Sequence, residues 1–177
     1  MSQNILNVNT PDVINKLKYG DVKVASTGMK TIPILNINNN MNVRMNTPLI
    51  RCYGINENDF EGNGNVKYDM SIQFQDNNNT ETFLKNMIAY ENKIKEDALK
   101  YSKEWFGKSK MSSEVVDALW SPMLKYPKNK ETGEPDMSRL PTLKVKIPFW
   151  EGKCKANIYN TRKELIYPLN DEPDEEV

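Results

Sequence analysis

Residues 66–74 read VKYDMSIQF, with Val66, Tyr68, Met70, Ile72 and Phe74 alternating with Lys67, Asp69, Ser71 and Gln73. A period of two sustained over that length predicts a strand with one face on a core and the other in water. Immediately after Asp76 to Asn79 the period changes. Thr80 is expected to cap a helix, and Phe83, Met87, Tyr90, Ile94, Ala98, Tyr101 and Trp105 recur at steps of three or four. One long amphipathic helix over about 80–106, ended by Gly107, is therefore predicted, with its aromatic stripe buried against a sheet. The acidic pair Glu96 and Asp97 falls on its polar, solvated face.

Outward from this junction the chain reads as strands. Short apolar runs at 22–26, 32–37, 43–45 and 49–55 are divided by Gly28, Pro33, Asn38 to Asn40 and Pro48, which argues for a meander. Residues 59–65, rich in Gly and Asn, are expected to form a loop. Downstream, Ser112 to Glu114 starts a short helix over about 113–121, stopped by Pro122. Thr142 to Phe149 alternates again, with Leu143, Val145, Ile147 and Phe149 on one face and Thr142, Lys144 and Lys146 on the other. Glu151 and Gly152 turn the chain after Trp150, and 155–159 and 165–167 are weaker strands. Runs of strands interrupted by helix, without βαβ alternation, suit a mainly β fold with inserted helices, a small Greek-key barrel.

The first twenty residues are expected to form an N-terminal arm, residues 21–168 the domain, and 169–177 an acidic disordered tail or a truncated loop. Beyond Lys163 there is no basic residue, while Glu164, Asp171, Glu172, Asp174, Glu175 and Glu176 are all acidic. The 177 residues carry no net charge and no histidine, so the usual neutral-pH general base and the commonest metal ligand are both missing. Cys52 and Cys154 lie far apart without metal-ligand spacing and read as reduced core thiols. No phosphate-binding glycine loop, dinucleotide fingerprint, zinc-protease motif or nucleophile elbow occurs; Gly62-Asn63-Gly64 lacks a third glycine and precedes a strand. These features argue against an enzyme and against a cofactor or metal. The absence of a long apolar run argues against a membrane span, and the expected location is intracellular and soluble.

Between Arg139 and Lys155 five basic residues face one acid, Glu151. Cations that follow a phosphate chain, beside flat rings on which bases stack, are what a binder of single strands needs. The residues that fit are Arg51, Tyr53, Lys67, Lys125, Tyr126, Lys128, Lys130, Lys144, Lys146, Trp150, Lys153 and Lys155.

Residues 102–108 (SKEWFGK), 114–120 (EVVDALW), 125–135 (KYPKNKETGEP) and 141–149 (PTLKVKIPF) resemble the single-stranded-DNA-binding proteins of large nucleocytoplasmic DNA viruses, of the phycodnavirus and mimivirus kind. Those proteins in turn resemble a podovirus replication protein that has an OB-fold, one long inserted helix and an acidic tail. The resemblance implies an OB-fold-like barrel that coats single-stranded DNA during viral replication and recombination in the infected cell, without catalysis or cofactor. It also implies a DNA polymerase or other replication protein as partner through the acidic end, and leaves the oligomeric state open, a dimer included. It assigns no individual DNA contacts. Relatives continue past the acidic region with further strands, whereas this sequence ends at Val177 and lacks the aromatic terminus of the podovirus tail. A chain cut within a loop would leave the barrel with an open edge. The alternative reading is a scaffold that recruits replication proteins, with DNA contact incidental.

Overall fold

The computed structural model describes residues 5–59 and 66–167; the acidic tail expected over 169–177 and residues 60–65 of the expected loop lie outside the described residues. Among these the fold is mainly β, with fourteen short strands and three α-helices, one of them long. The strands form six small sheets, and none of them closes into a barrel. The described residues divide into two compact units, one drawn from Met1–Arg51 and Gln73–Leu143, the other from Cys52–Ile72 and Lys144–Val177.

The first unit is built on α1 (Asn78–Lys100). Its cap is Asn77 rather than the expected Thr80: the Thr80 N–H donates to Asn77 Oδ1 at 3.2 Å, which satisfies one of the free amides of the first turn. Thr80 is buried instead, and its hydroxyl donates to the Gln75 carbonyl at 2.7 Å. The expected stripe does face the core. Phe83, Met87 and Ala98 are buried, and the Phe83 ring meets Phe74 with centroids 5.0 Å apart. The helix is interrupted at Tyr101 (φ −98°, ψ 21°), after which α2 (Ser102–Phe106) ends at Gly107, whose φ of 70° lets its N–H reach the carbonyls of Lys103 and Ser102. Then α3 (Ser113–Leu119) returns beside α1. Val116 packs with Ala98 and Trp105, and Lys95 pairs with Asp117 at 2.8 Å.

Short ribbons flank these helices. β1 (Leu6–Asn7) runs parallel to β6 (Met45–Asn46), β2 (Leu17–Tyr19) antiparallel to β5 (Ile34–Asn36), and β3 (Lys23–Val24) antiparallel to β4 (Lys30–Thr31). Residues 5–20 are thus not an arm. Leu6, Val8 and Val13 are buried, and Asn86 of α1 donates to the carbonyls of Val8 and Thr10 at 2.5 and 3.0 Å. Asp97 is likewise not solvated. It is buried, accepting from the Tyr19 hydroxyl at 2.7 Å and from Lys93 at 2.8 Å, while Tyr19 stands edge-on to Trp105. Burial first, and the neighbouring Asp97 second, push the Tyr19 phenol well above its ordinary pKa. Glu91, on the same helix, accepts from the amides of Met123 and Leu124. Those amides open β9 (Leu124–Lys125), which pairs with the first two residues of β10 (Thr142–Ile147).

In the second unit the remainder of β10 lies beside β8 (Lys67–Gln73), and β8 beside β7 (Arg51–Asn58). β11 (Phe149–Trp150) and β12 (Lys153–Cys154) form a hairpin whose two turn residues, Glu151 and Gly152, have φ of 55° and 71°. Two consecutive positive angles match the mirror-image turn that follows strand twist. β13 (Ile158–Tyr159) pairs with β14 (Leu165–Tyr167). The strands expected at 66–74 and 142–149 are present, but their apolar face is thinly covered. Among the described hydrophobic residues of this unit Ile72 alone is fully buried, whereas Val145, Ile147 and Phe149 are half-buried. Cys52 is exposed rather than a core thiol.

Candidate nucleic-acid interface

The two units share out the residues expected to contact a nucleic acid. Arg51, Lys125, Tyr126, Lys128 and Lys130 belong to the first, and Tyr53, Lys67, Lys144, Lys146, Trp150, Lys153 and Lys155 to the second. In the first unit the basic loop is a folded turn. Asn129 Oδ1 accepts from the amides of Glu131 and Thr132, the Gly133 amide bonds to the Asn129 carbonyl, and Lys128 bridges to Pro135. It lifts Lys125, Lys128 and Lys130 into solvent together with Glu131 and Glu134, while Asp136 is half-buried, so three cations stand among three anions. Tyr126 is half-buried, and burial raises its phenol pKa, with Glu91 a smaller cause. A ring held in this way offers little face to a base.

The second unit concentrates the remaining groups. Alternation along β8 and β10 puts Lys67, Asp69 and Ser71 on the same side as Lys144 and Lys146. That register is fixed by Asp69, which accepts from Lys144 at 2.7 Å and from the side-chain amides of Asn58 and Asn56 at 2.8 and 3.3 Å. The opposite side carries Tyr68, whose hydroxyl donates to Glu57 at 3.3 Å and whose ring meets Phe149 with centroids 4.5 Å apart. Phe149 and Trp150 are consecutive in β11, so Trp150 projects from the face of the hairpin opposite Phe149. Its side chain is 54% exposed. Across the hairpin Lys153 is its direct partner, and Lys155 Nζ lies 5.6 Å from its ring centroid while pairing with Glu151 at 3.2 Å. Comparison of the chain with protein families, curated proteins and solved structures found no match.

The cations of this unit are not equivalent. Lys144 is committed to a carboxylate that is itself only 6% exposed, and Lys155 to Glu151. Lys67, Lys146 and Lys153 are exposed and form no ion pair among the described residues. The Asp69 cluster escapes a reading of the sequence because it joins strands far apart in the chain; its only local trace is the spacing of Asn56 and Asn58, two amides on one face of a strand.

The Lys144 hydrogen bond, ahead of those from Asn56 and Asn58, holds the Asp69 carboxyl below its usual range. A depressed folded-state pKa stabilises at neutral pH, and that stabilisation disappears as pH falls from about 4, the unfolded value, through the lower folded one. Lys144→Ala should therefore reduce stability at pH 7 and remove part of the wild-type loss below about pH 4. Urea unfolding at pH 7 and pH 3 measures both, and parallel profiles for the two proteins would contradict the pairing.

Proposed function

We propose that the second unit binds single-stranded DNA with little sequence preference, as a non-catalytic protein of viral DNA replication and recombination. The observation that carries this is the exposed Trp150 ring, with Lys153 opposite it in the hairpin and Lys155 Nζ 5.6 Å from its centroid, in the unit that also bears the exposed Lys146. A flat ring among cations serves any base, because every base has a π-face and every nucleotide a phosphate. The resemblance of residues 102–149 to the viral proteins supports the same reading, with the infected cell as its setting. An OB-fold barrel with α1 inserted after β8 is the finer fold proposed with it; the strand running directly into the long helix supports that order.

Fluorescence anisotropy with oligothymidine and with its duplex, at several salt concentrations, tests the proposal. Three unpaired lysines predict that log affinity falls against log salt with a slope of about −2, from roughly 0.7 for each phosphate on a single strand. Equal affinity for the duplex, or no binding at low salt, would refute it. A scaffold that recruits replication proteins is the second reading, favoured by the uncovered Tyr53, Ile55 and Tyr159. Under that reading partners captured from infected-cell extract survive nuclease, and oligothymidine does not bind.

A further inference from the structure

β7 is the outer strand of its sheet among the described residues, and its sequence, RCYGINEN, is exposed from Arg51 through Glu57. An eight-residue edge of this kind leaves a row of amides and carbonyls without a ladder partner. Natural edges are kept apart by prolines, bulges or charges of one sign. Here there is no proline, and the two charges are Arg51 and Glu57, one of each sign, placed symmetrically about Gly54.

We propose that β7 pairs antiparallel with β7 of a second copy of this chain, about a twofold axis at Gly54. Pairing about that residue sets Arg51 opposite the Glu57 of the second copy, Tyr53 opposite its Ile55, and Gly54 opposite itself. Each of these matches occurs twice by symmetry. Opposite charges and an aromatic against a β-branched residue are both favourable cross-strand pairs. Tyr53 and Ile55, 78% and 55% exposed, acquire cover that no described part of the chain gives them. Gly54 has a φ of 104°, and nothing lies within 4 Å of where a Cβ would stand, so the strand meets its copy at a position with no side chain. Arg51 makes no ion pair among the described residues, and Glu57 engages only the Tyr68 hydroxyl. Any other antiparallel register loses the double Arg51 to Glu57 match, so charge selects this one.

Sedimentation equilibrium of the full chain without DNA tests the pairing independently of nucleic-acid binding. The wild type should dimerise reversibly. Arg51→Glu and Glu57→Arg, each of which creates two like-charge pairs, should weaken the dimer by at least about tenfold, and the double reversal should restore it. Hydrogen exchange at the amides of 52–56 should slow as protein concentration rises. A chain that stays monomeric at about 100 µM, where even weak pairs associate, overturns the proposal and implies that another segment or partner occupies the edge. So does a dimer indifferent to both reversals, or one that the double reversal fails to restore.

Discussion

Phe83→Ala should lower the stability of the protein by about 3–5 kcal/mol, the range for removing a buried aromatic side chain. Phe83 is 1% exposed, projects from the second turn of α1 and packs its ring on Phe74. The contact ties the helix to the residue directly after β8, at the junction where strand becomes helix. Truncation removes both the transfer energy of the ring and its contacts with neighbours that can collapse only partly into the space. Against a typical total of about 5–15 kcal/mol this is a large fraction, corresponding to a fall in the thermal midpoint of roughly 10 °C for a chain of this size. Leu49→Ala is the control. Leu49 is 99% exposed, and its truncation should stay within about 0.5 kcal/mol. Calorimetry on the two variants separates them; equal midpoints would mean that Phe83 is not in a packed core.

The local parts of this fold were legible because each is written in a single period. Val66 to Phe74 alternates without a break, and the stripe from Phe83 to Trp105 keeps helical spacing, so the strand appears where the pattern puts it and the helix does so up to its interruption at Tyr101. Gly107 stops the helix because its positive φ is one that other residues adopt at a cost. What the pattern could not supply was partnership across the chain. Leu6, Val8 and Val13 are too few and too scattered to show a period, yet pairing with β6 and hydrogen bonds from Asn86 bury them. Asp97 and Glu91 look solvated on a helical wheel, and each accepts hydrogen bonds from a segment remote in sequence. The candidate site divides the same way. That Trp150, Lys146 and Lys153 would be exposed follows from alternation and a turn, whereas the loss of Lys144 to Asp69 follows from a strand pairing that a single sequence does not encode locally.

That loss changes what mutation of the basic side should do. Trp150→Ala should weaken oligothymidine binding by about 1–3 kcal/mol, roughly fivefold to a hundredfold, with the salt slope unchanged, since a stacked ring releases no counterions. Trp150→Phe, which keeps a π-face, should retain most of the affinity. Lys146→Ala should instead cost less at moderate salt and make the slope shallower by about 0.7, the share of one phosphate contact. Lys144→Ala should leave the slope nearly as it was. Its ammonium already faces a carboxylate 2.7 Å away, so a phosphate approaching it meets an ion pair rather than a free charge. Titrations of the four variants against the same oligonucleotide distinguish these outcomes. If Lys144→Ala and Lys146→Ala flatten the slope equally, Asp69 does not neutralise its neighbour in the complex. If Trp150→Ala binds as the wild type does, the ring is no stacking platform, and the bases must lie elsewhere on the protein.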